Sequence, residues 1–477
     1  MAWRPNTSGL VRTSKQLLKR GLRAAYRGQP GGPPPIPPEH WGLERLADGN
    51  LTLQGIALHD LATRFGSPLH VVNAARLRDN ARRYLSASTG KTPCEVYYSY
   101  KTNPVPGVLQ ELHRQGIGAE VISHYELWLA RKLGVTPERI VYNGPVKSEA
   151  SLVEAIKDRI QLININHLEE LPVIARIARE LGIRPRIGLR ITVGGGWSGQ
   201  FGTPTTGGAA LRAYRDALAT DALDVVGLHA HRGGMVRSEE ELRGFLTQAL
   251  GFVGDLRREL GLELEILNFG GSLAVPSVRG LSDQEKHQNL RFSRPFQPPQ
   301  PERSLAIERY LAIITELVAA HYDAAGAQRA ARIFVEPGRS VTSDAQLLLT
   351  RVQSTKSGGE REYAILDAGI NLAESCTTEY HQWFVANDVR RAPSRCYALA
   401  GPICTPGDTL HWAQWLPEVQ SGDTLVVMDA GAYFVPFSTS FSFPRPAIVM
   451  LDDGTAKLLR RAESFDDLVN LDDPSQG

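Results

Sequence analysis

The chain has 477 residues, 53 basic and 51 acidic, with 42% hydrophobic and 22% charged side chains. Such a composition fits a soluble protein of two to three domains and excludes a disordered, collagenous or coiled-coil chain. No apolar run approaches the roughly 18 residues that a membrane-spanning helix needs.

Residues 1–38 hold seven basic side chains and no acid, so the rest carries 46 basic and 51 acidic residues. A slightly acidic body argues against nucleic acid as a partner. The tail has no apolar segment of the secretory kind. Arg-rich and acid-poor, it suits a transit peptide or an anionic surface, but the better reading is a solvated tail that runs through the proline-rich stretch 28–38 as an extended linker. Four cysteines (Cys94, Cys376, Cys396, Cys404) form no C-x-x-C pair. They suggest a reducing, cytoplasmic compartment rather than a disulfide framework.

Residues 45–74 contain short extended segments at 51–53 and 69–72. From residue 95 onward, β-branched runs alternate with helical periodicity. Strands are predicted at 95–100, 119–123, 140–144, 161–166, 186–192, 225–231, 264–271 and 332–338. Helices are predicted at 148–157, 167–181, 239–260 and 304–321. Eight βα units over about 250 residues match a closed (β/α)8 TIM-like barrel. A polar insertion at 277–303 interrupts the seventh unit and reads as a surface loop at the rim. After residue 340 the pattern turns to strands at 346–353, 363–367, 395–399, 424–429, 447–451 and 456–459, a separate all-β domain. The expected division is a tail at 1–44, a segment at 45–74 that joins the β domain, a barrel at 75–340 and a C-terminal β domain at 341–477.

In such a barrel the reactive groups follow the strands. Lys101 follows the first, His229 and His231 end the sixth, Gly270, Gly271 and Ser272 end the seventh, and Glu336, Gly338 and Arg339 end the eighth. Taken singly, each has an ordinary reading as a solvated strand end, a turn or a surface ion pair. The two histidines share one strand face, yet no carboxylate or third histidine recurs at ligand spacing, so no metal is expected. Together the set has the chemistry that holds pyridoxal phosphate. It offers an amine for an aldehyde, a flat imidazole for a ring, a carboxylate for a pyridinium proton, and backbone N–H groups with an arginine for a phosphate.

The segments YYSYKTNP (97–104), GAEVISHYEL (118–127), GLHAHRGG (227–234), LNFGGS (267–272), EPGRSV (336–341), LDAGIN (366–371), GPICTPGD (401–408) and DAGAYFVPFSTSF (429–441) resemble, in order, the fold-type-III pyridoxal-phosphate decarboxylases. The likeness is greatest to the diaminopimelate decarboxylase type, with ornithine decarboxylase further away. It implies an alanine racemase-like barrel with a C-terminal β domain. It also implies that Lys101 is the Schiff-base lysine, that His231 stacks on the cofactor ring and that Glu336 holds the pyridine nitrogen. Gly234, Gly270, Gly271, Ser272, Gly338, Arg339 and Tyr433 are implied around the cofactor, with Glu126 and Arg190 lining the site. Cys404 matches a thiol that a partner subunit contributes, which implies a homodimer with shared sites. Glutamate at 336 and cysteine at 404 favour decarboxylation over the racemase chemistry of the same fold; a catalytically silent paralogue is the other alternative.

Some positions depart from the family pattern. Glu120 replaces an aspartate, and Gly234 stands where a serine is frequent. Ser375 and Glu379 occupy the places of an arginine and a tyrosine that the family uses on a distal carboxylate. Thr405 replaces an acid suited to a distal ammonium. The expected substrate is therefore an amino acid or conjugate other than diaminopimelate. Trp197, His411, Trp412 and Trp415 are candidates for pocket walls or for ordinary packing.

Overall fold

A computed structural model of the chain describes residues 7–27, 32–88, 93–194, 196–326, 330–359 and 361–472. Eight parallel strands form a ring: Cys94–Ser99, Gly118–Val121, Ile140–Tyr142, Leu162–Ile165, Arg186–Thr192, Asp224–Ala230, Ile266–Asn268 and Arg332–Val335. The eighth strand pairs with the first through Ile333↔Cys94 and closes the barrel. Tyr97, Val141, Leu162, Val226, Ile266 and Phe334 fill its interior, so the barrel is a packed core and room for a ligand lies above the strand ends.

Local chemistry starts the helices close behind the strands. Ser123 accepts from Glu126 N at 3.2 Å to cap His124–Lys132, and Ser148 and Ser238 cap Glu149–Lys157 and Glu239–Leu260 in the same way. Gly261, with φ of 62°, ends the last of these in the left-handed conformation. The short connections keep the strand-end residues at one rim.

The β domain is built on the long strand Gln346–Gly358, which pairs antiparallel with Arg361–Leu366 and with Thr424–Val427. Leu69–Asn73 is inserted at its centre, antiparallel to Gln346–Gly358 and parallel to Ala447–Asp452. Leu69–Asn73 is thus a buried interior strand of this domain, whereas Leu51–Leu53 lies in a separate three-stranded sheet with Leu43–Arg45 and Ile56–Ala57. Strand Thr409–Leu416, which pairs with Arg395–Ala400, was not anticipated, because its His, Trp and Gln residues lack a clean alternation.

Two further departures concern the tail and the insertion. Residues Thr7–Arg27, expected as solvated tail, form a helix. Leu, Ala, Lys and Arg all favour helix, and the helix rests on the insertion through Arg23 Nε, which donates to Arg291 O at 2.8 Å. The insertion, expected as a loop, contains helix Asp283–Phe292, opened by a capping box between Ser282 and Glu285. Residues 28–31 of the proline-rich stretch lie outside the described residues. Among the described residues no helix is long and apolar enough to cross a membrane.

Candidate active site

A cavity of about 560 Å³ opens above the C-terminal ends of the barrel strands and is bounded on one side by Glu379, Tyr433 and Phe437 of the β domain. Lys101, Arg190, His231, Gly234, Ser272, Glu336, Gly338 and Arg339 line it as well.

Glu336 is fully enclosed at its floor. Asn268 Nδ2 and Asn143 Nδ2 donate to its Oε1 at 2.6 and 2.8 Å. Its other oxygen, Oε2, lies 3.6 Å from His229 Nε2. Burial first, and then the neighbouring Glu120, hold the Glu336 carboxyl above its usual range despite the two amide bonds. Glu120 accepts from Ser99 Oγ at 2.5 Å and from Asn143 Nδ2 at 2.8 Å, so the longer acid at this position reaches the same buried network. Beside them, burial alone would lower the Lys101 ammonium, but Glu120, Tyr433, Glu336 and Glu126 together raise it.

His231 is held as a neutral ring. Its Nδ1 accepts from Gly271 N at 3.3 Å, and its Nε2 lies 3.5 Å from Ser272 Oγ. Burial, then Lys101 and Arg190, push its pKa well below the ordinary imidazole value. A Cβ on Gly270 would lie 2.1 Å from His231 Nδ1, and one on Gly271 would lie 2.3 Å from Glu336 O. Only glycines allow the seventh strand end to run so close beneath ring and acid.

Arg190 is buried with its guanidinium over the Phe201 ring at 4.4 Å. Arg339 lies under the Tyr433 ring at 4.6 Å, and its Nη1 and Nη2 donate to Glu379 at 2.8 and 2.6 Å. Burial alone would raise Glu379, but the His381 ring and Arg339 bring it down to about 2.

Several expected site residues lie elsewhere. Glu126 does not line the cavity; its carboxylate accepts from Ile122 N at 2.8 Å behind the wall, where burial and Glu120 raise it to about 7. Ser375 is buried outside the cavity, and Cys404 and Thr405 lie on the turn before strand Thr409–Leu416, with Cys404 exposed. Trp197 lines the cavity, whereas His411, Trp412 and Trp415 do not. Asn143, Asn268, Phe201, Met235 and Phe437 were not singled out from sequence. Asn143 and Asn268 do sit at strand ends beside Gly-rich turns, the one signal that marks them.

The grounds for expecting no metal also need correction. Glu336, two strands later in the barrel, supplies the third ligand type, and the His229, His231 and Glu336 donor atoms lie within 4.8 Å of one another. The chain separation of these strands hid that grouping.

The donor set fits pyridoxal phosphate. Both ring nitrogens of His229 and the Thr102 hydroxyl are buried in the cavity wall without hydrogen-bond partners, a cost that a polar ligand removes. Glu336 presents an acid oxygen beside a lysine amine and a flat neutral imidazole. Arg339, expected at the phosphate, is instead paired with Glu379, so the glycine cradle leaves Ser272, Tyr433 and backbone N–H groups for a phosphate.

Comparison with known proteins gives the same picture. Residues 75–343 match the family described as pyridoxal-dependent decarboxylase, pyridoxal binding domain. A diaminopimelate decarboxylase of Pseudomonas aeruginosa is 31% identical over 88% of this chain and 96% of its own length. One of Aquifex aeolicus is 29% identical over 88% and 95%. The crystal structure of the diaminopimelate decarboxylase of M. jannaschii in complex with L-lysine superposes with a TM-score of 0.77, at 25% identity, over 91% of this chain and 98% of that one.

Proposed function

The chain belongs to the pyridoxal-dependent decarboxylase family, and from that premise we propose that it removes the α-carboxylate of an amino acid other than diaminopimelate, with Lys101 as the residue that carries the cofactor. That it is a pyridoxal-phosphate-dependent carboxy-lyase acting on an amino acid follows from the family itself. The observation that carries the finer reading is the Glu336 carboxylate, anchored by Asn143 and Asn268 beside Lys101 and His231.

Bound pyridoxal phosphate supplies the electron sink into which the pair of the broken Cα–carboxylate bond is drawn. Glu336 would hold a proton on the ring nitrogen, its carboxylate aimed by two amide hydrogen bonds to Oε1. Asn143 and Asn268 orient that carboxylate. His231, neutral and bonded to Gly271 N, would cover one ring face without adding charge. Gly234, Gly270, Gly271, Ser272, Gly338 and Tyr433 would surround the phosphate. Trp197 and Phe437 narrow the mouth and limit water.

The proton returned to the α-carbon would come from Cys404 of a second subunit. Cys404 is exposed and lies outside its own chain's cavity, which supports a homodimer with shared sites. The neutral Thr405 beside it, and Ser375 buried away from the cavity, support a substrate lacking the second charged centre of diaminopimelate.

The test is incubation of the cofactor-loaded protein with a panel of amino acids in heavy water. A product lighter by carbon dioxide and bearing one deuterium is expected. Unchanged heavy-atom mass with deuterium at the α-carbon would replace this reading with racemisation.

A further inference from the structure

We propose that Glu379 and Arg339 form a built-in ion pair that sets the substrate class of this cavity: an α-amino acid with an uncharged, apolar or aromatic side chain. This deepens the function proposed above and rests on it.

Arg339 borders the cavity, yet its two terminal nitrogens are committed to Glu379 in a bidentate fork at 2.8 and 2.6 Å. That is the strongest geometry a guanidinium makes with a carboxylate. The two side chains are only 21% and 12% exposed, and the Tyr433 ring covers the arginine. The pair presents no net charge to the cavity.

Glu379 is fixed from behind. Its backbone pairs with the insertion, Gly280 opposite Glu379 and Arg279 opposite Tyr380, and Leu281 N donates to Thr378 O at 2.8 Å. The insertion strand is anchored in turn by Arg279, whose guanidinium forks onto Glu285 at 3.1 and 2.6 Å. The His381 ring stands 3.8 Å from Glu379 Oε2 on the other side. The insertion therefore holds an acid in place against the arginine.

A substrate carboxylate approaching Arg339 must displace Glu379 and leave it buried and unpaired, or sit beside it as a like charge; both are unfavourable. A substrate ammonium gains nothing from Glu379 either, since that charge is already matched. The other cations of the cavity, Lys101 and Arg190, lie within the field of Glu120 and Glu336 at the reacting end. Trp197, Phe201, Met235, Leu273 and Phe437 also line the cavity and offer a surface for apolar or aromatic groups, while the polar Ser99, Thr102, Asn143 and His229 line it as well.

Two measurements test this on the cofactor-loaded full chain. The first is carbon dioxide release from phenylalanine, leucine and methionine, from lysine and ornithine, and from 2-aminoadipate and diaminopimelate. The wild type is expected to prefer the first group over both others by at least about tenfold in kcat/KM, a difference of about 1.4 kcal/mol. Glu379→Gln frees Arg339 and should raise the relative kcat/KM for 2-aminoadipate by at least about tenfold, whereas Glu379→Asp keeps the charge and the wild-type ranking. The second is calorimetric titration with pimelate and heptanoate, which needs no turnover. Wild type should bind the monoacid more tightly than the diacid, and Glu379→Gln should reverse the order. Wild-type protein that prefers pimelate or the acidic amino acids overturns the proposal even if no variant folds. Absence of carbon dioxide release from every amino acid defeats the decarboxylase reading instead, and the titration still decides the role of the pair.

Discussion

Asn143 Nδ2 donates to Oε1 of Glu336 at 2.8 Å and to Oε1 of Glu120 at 2.8 Å, so one amide is shared by two buried carboxylates. Asn143 is itself oriented through its carbonyl, which accepts from Asn164 Nδ2 at 2.7 Å. The arrangement sets the distance between the acids and keeps Glu336 pointed at the cavity. Hydrogen bonds to charged groups contribute about 1.5–3 kcal/mol each. Replacing Asn143 with Leu leaves both acids short of a donor and should lower kcat about 100-fold, or about 2.7 kcal/mol. The kcat should fall far more than substrate affinity does, because the loss is in orientation of the acid. An equal rise in KM with kcat intact would assign Asn143 to substrate binding instead.

A shared site makes a sharp stoichiometric prediction. Lys101→Ala and Cys404→Ala should each be nearly inactive alone. Mixed under conditions of subunit exchange, they should regain about one quarter of wild-type activity, since half the dimers are hybrids and each hybrid has one intact site. Activity assays over a mixing series check this. Recovery that never rises above either parent would place Cys404 outside the partner's cavity.

The barrel was legible because its signal is periodic and repeated: eight β-branched runs separated by helical stretches leave little freedom in topology. The strand-end residues Lys101, His231, Ser272, Glu336 and Arg339 were legible for the same reason, since the fold places all strand ends at one rim. What sequence did not carry was pairing across distant segments. In sequence Glu379 stands only as a lost tyrosine; its partner Arg339 is 40 positions away and is aligned with it by an insertion that has the composition of a loop. Asn143 and Asn268 are single amides whose meaning appears only when two strands converge on Glu336. The helix Thr7–Arg27 was missed because the charge run masked an otherwise helix-forming composition.

Asp429 supplies a pH-dependent contribution to stability away from the reacting groups. It accepts from Trp41 Nε1 at 3.1 Å and from Ser277 Oγ at 2.9 Å, and burial first of all raises it from 3.8 to about 7. Because the folded state holds this proton more tightly, the contribution is fully present below about pH 3.8 and is lost as pH rises through about 7. Asn keeps an acceptor oxygen and tolerates the left-handed backbone here, where φ is 62°. Asp429→Asn should therefore flatten the decline in denaturant stability between pH 5 and pH 8, intervals of about one unit sufficing to trace it. Parallel wild-type and variant curves over that range would show that Asp429 is not the titrating group.

Gly270 gives the most direct test of how the seventh strand end shapes the cavity. Its φ is 63°, and a Cβ there would stand 2.1 Å from His231 Nδ1. An alanine would carry roughly 1–2 kcal/mol of left-handed backbone strain and would also push the imidazole off the position fixed by Gly271 N. The ring is neutral and held by two long bonds, 3.3 Å to Gly271 N and 3.5 Å to Ser272 Oγ, so it is the part that gives way. Gly270→Ala should weaken pyridoxal phosphate binding at least about tenfold, measured by fluorescence titration, and should lower kcat further at saturating cofactor. The barrel itself should survive, because Asn268 Oδ1 still accepts from the backbone N–H of residue 270, at 2.9 Å in the wild type, and the eighth strand still closes on the first. Cofactor affinity equal to wild type would mean that the His231 ring does not cover the cofactor and that the stacking role assigned to it is wrong.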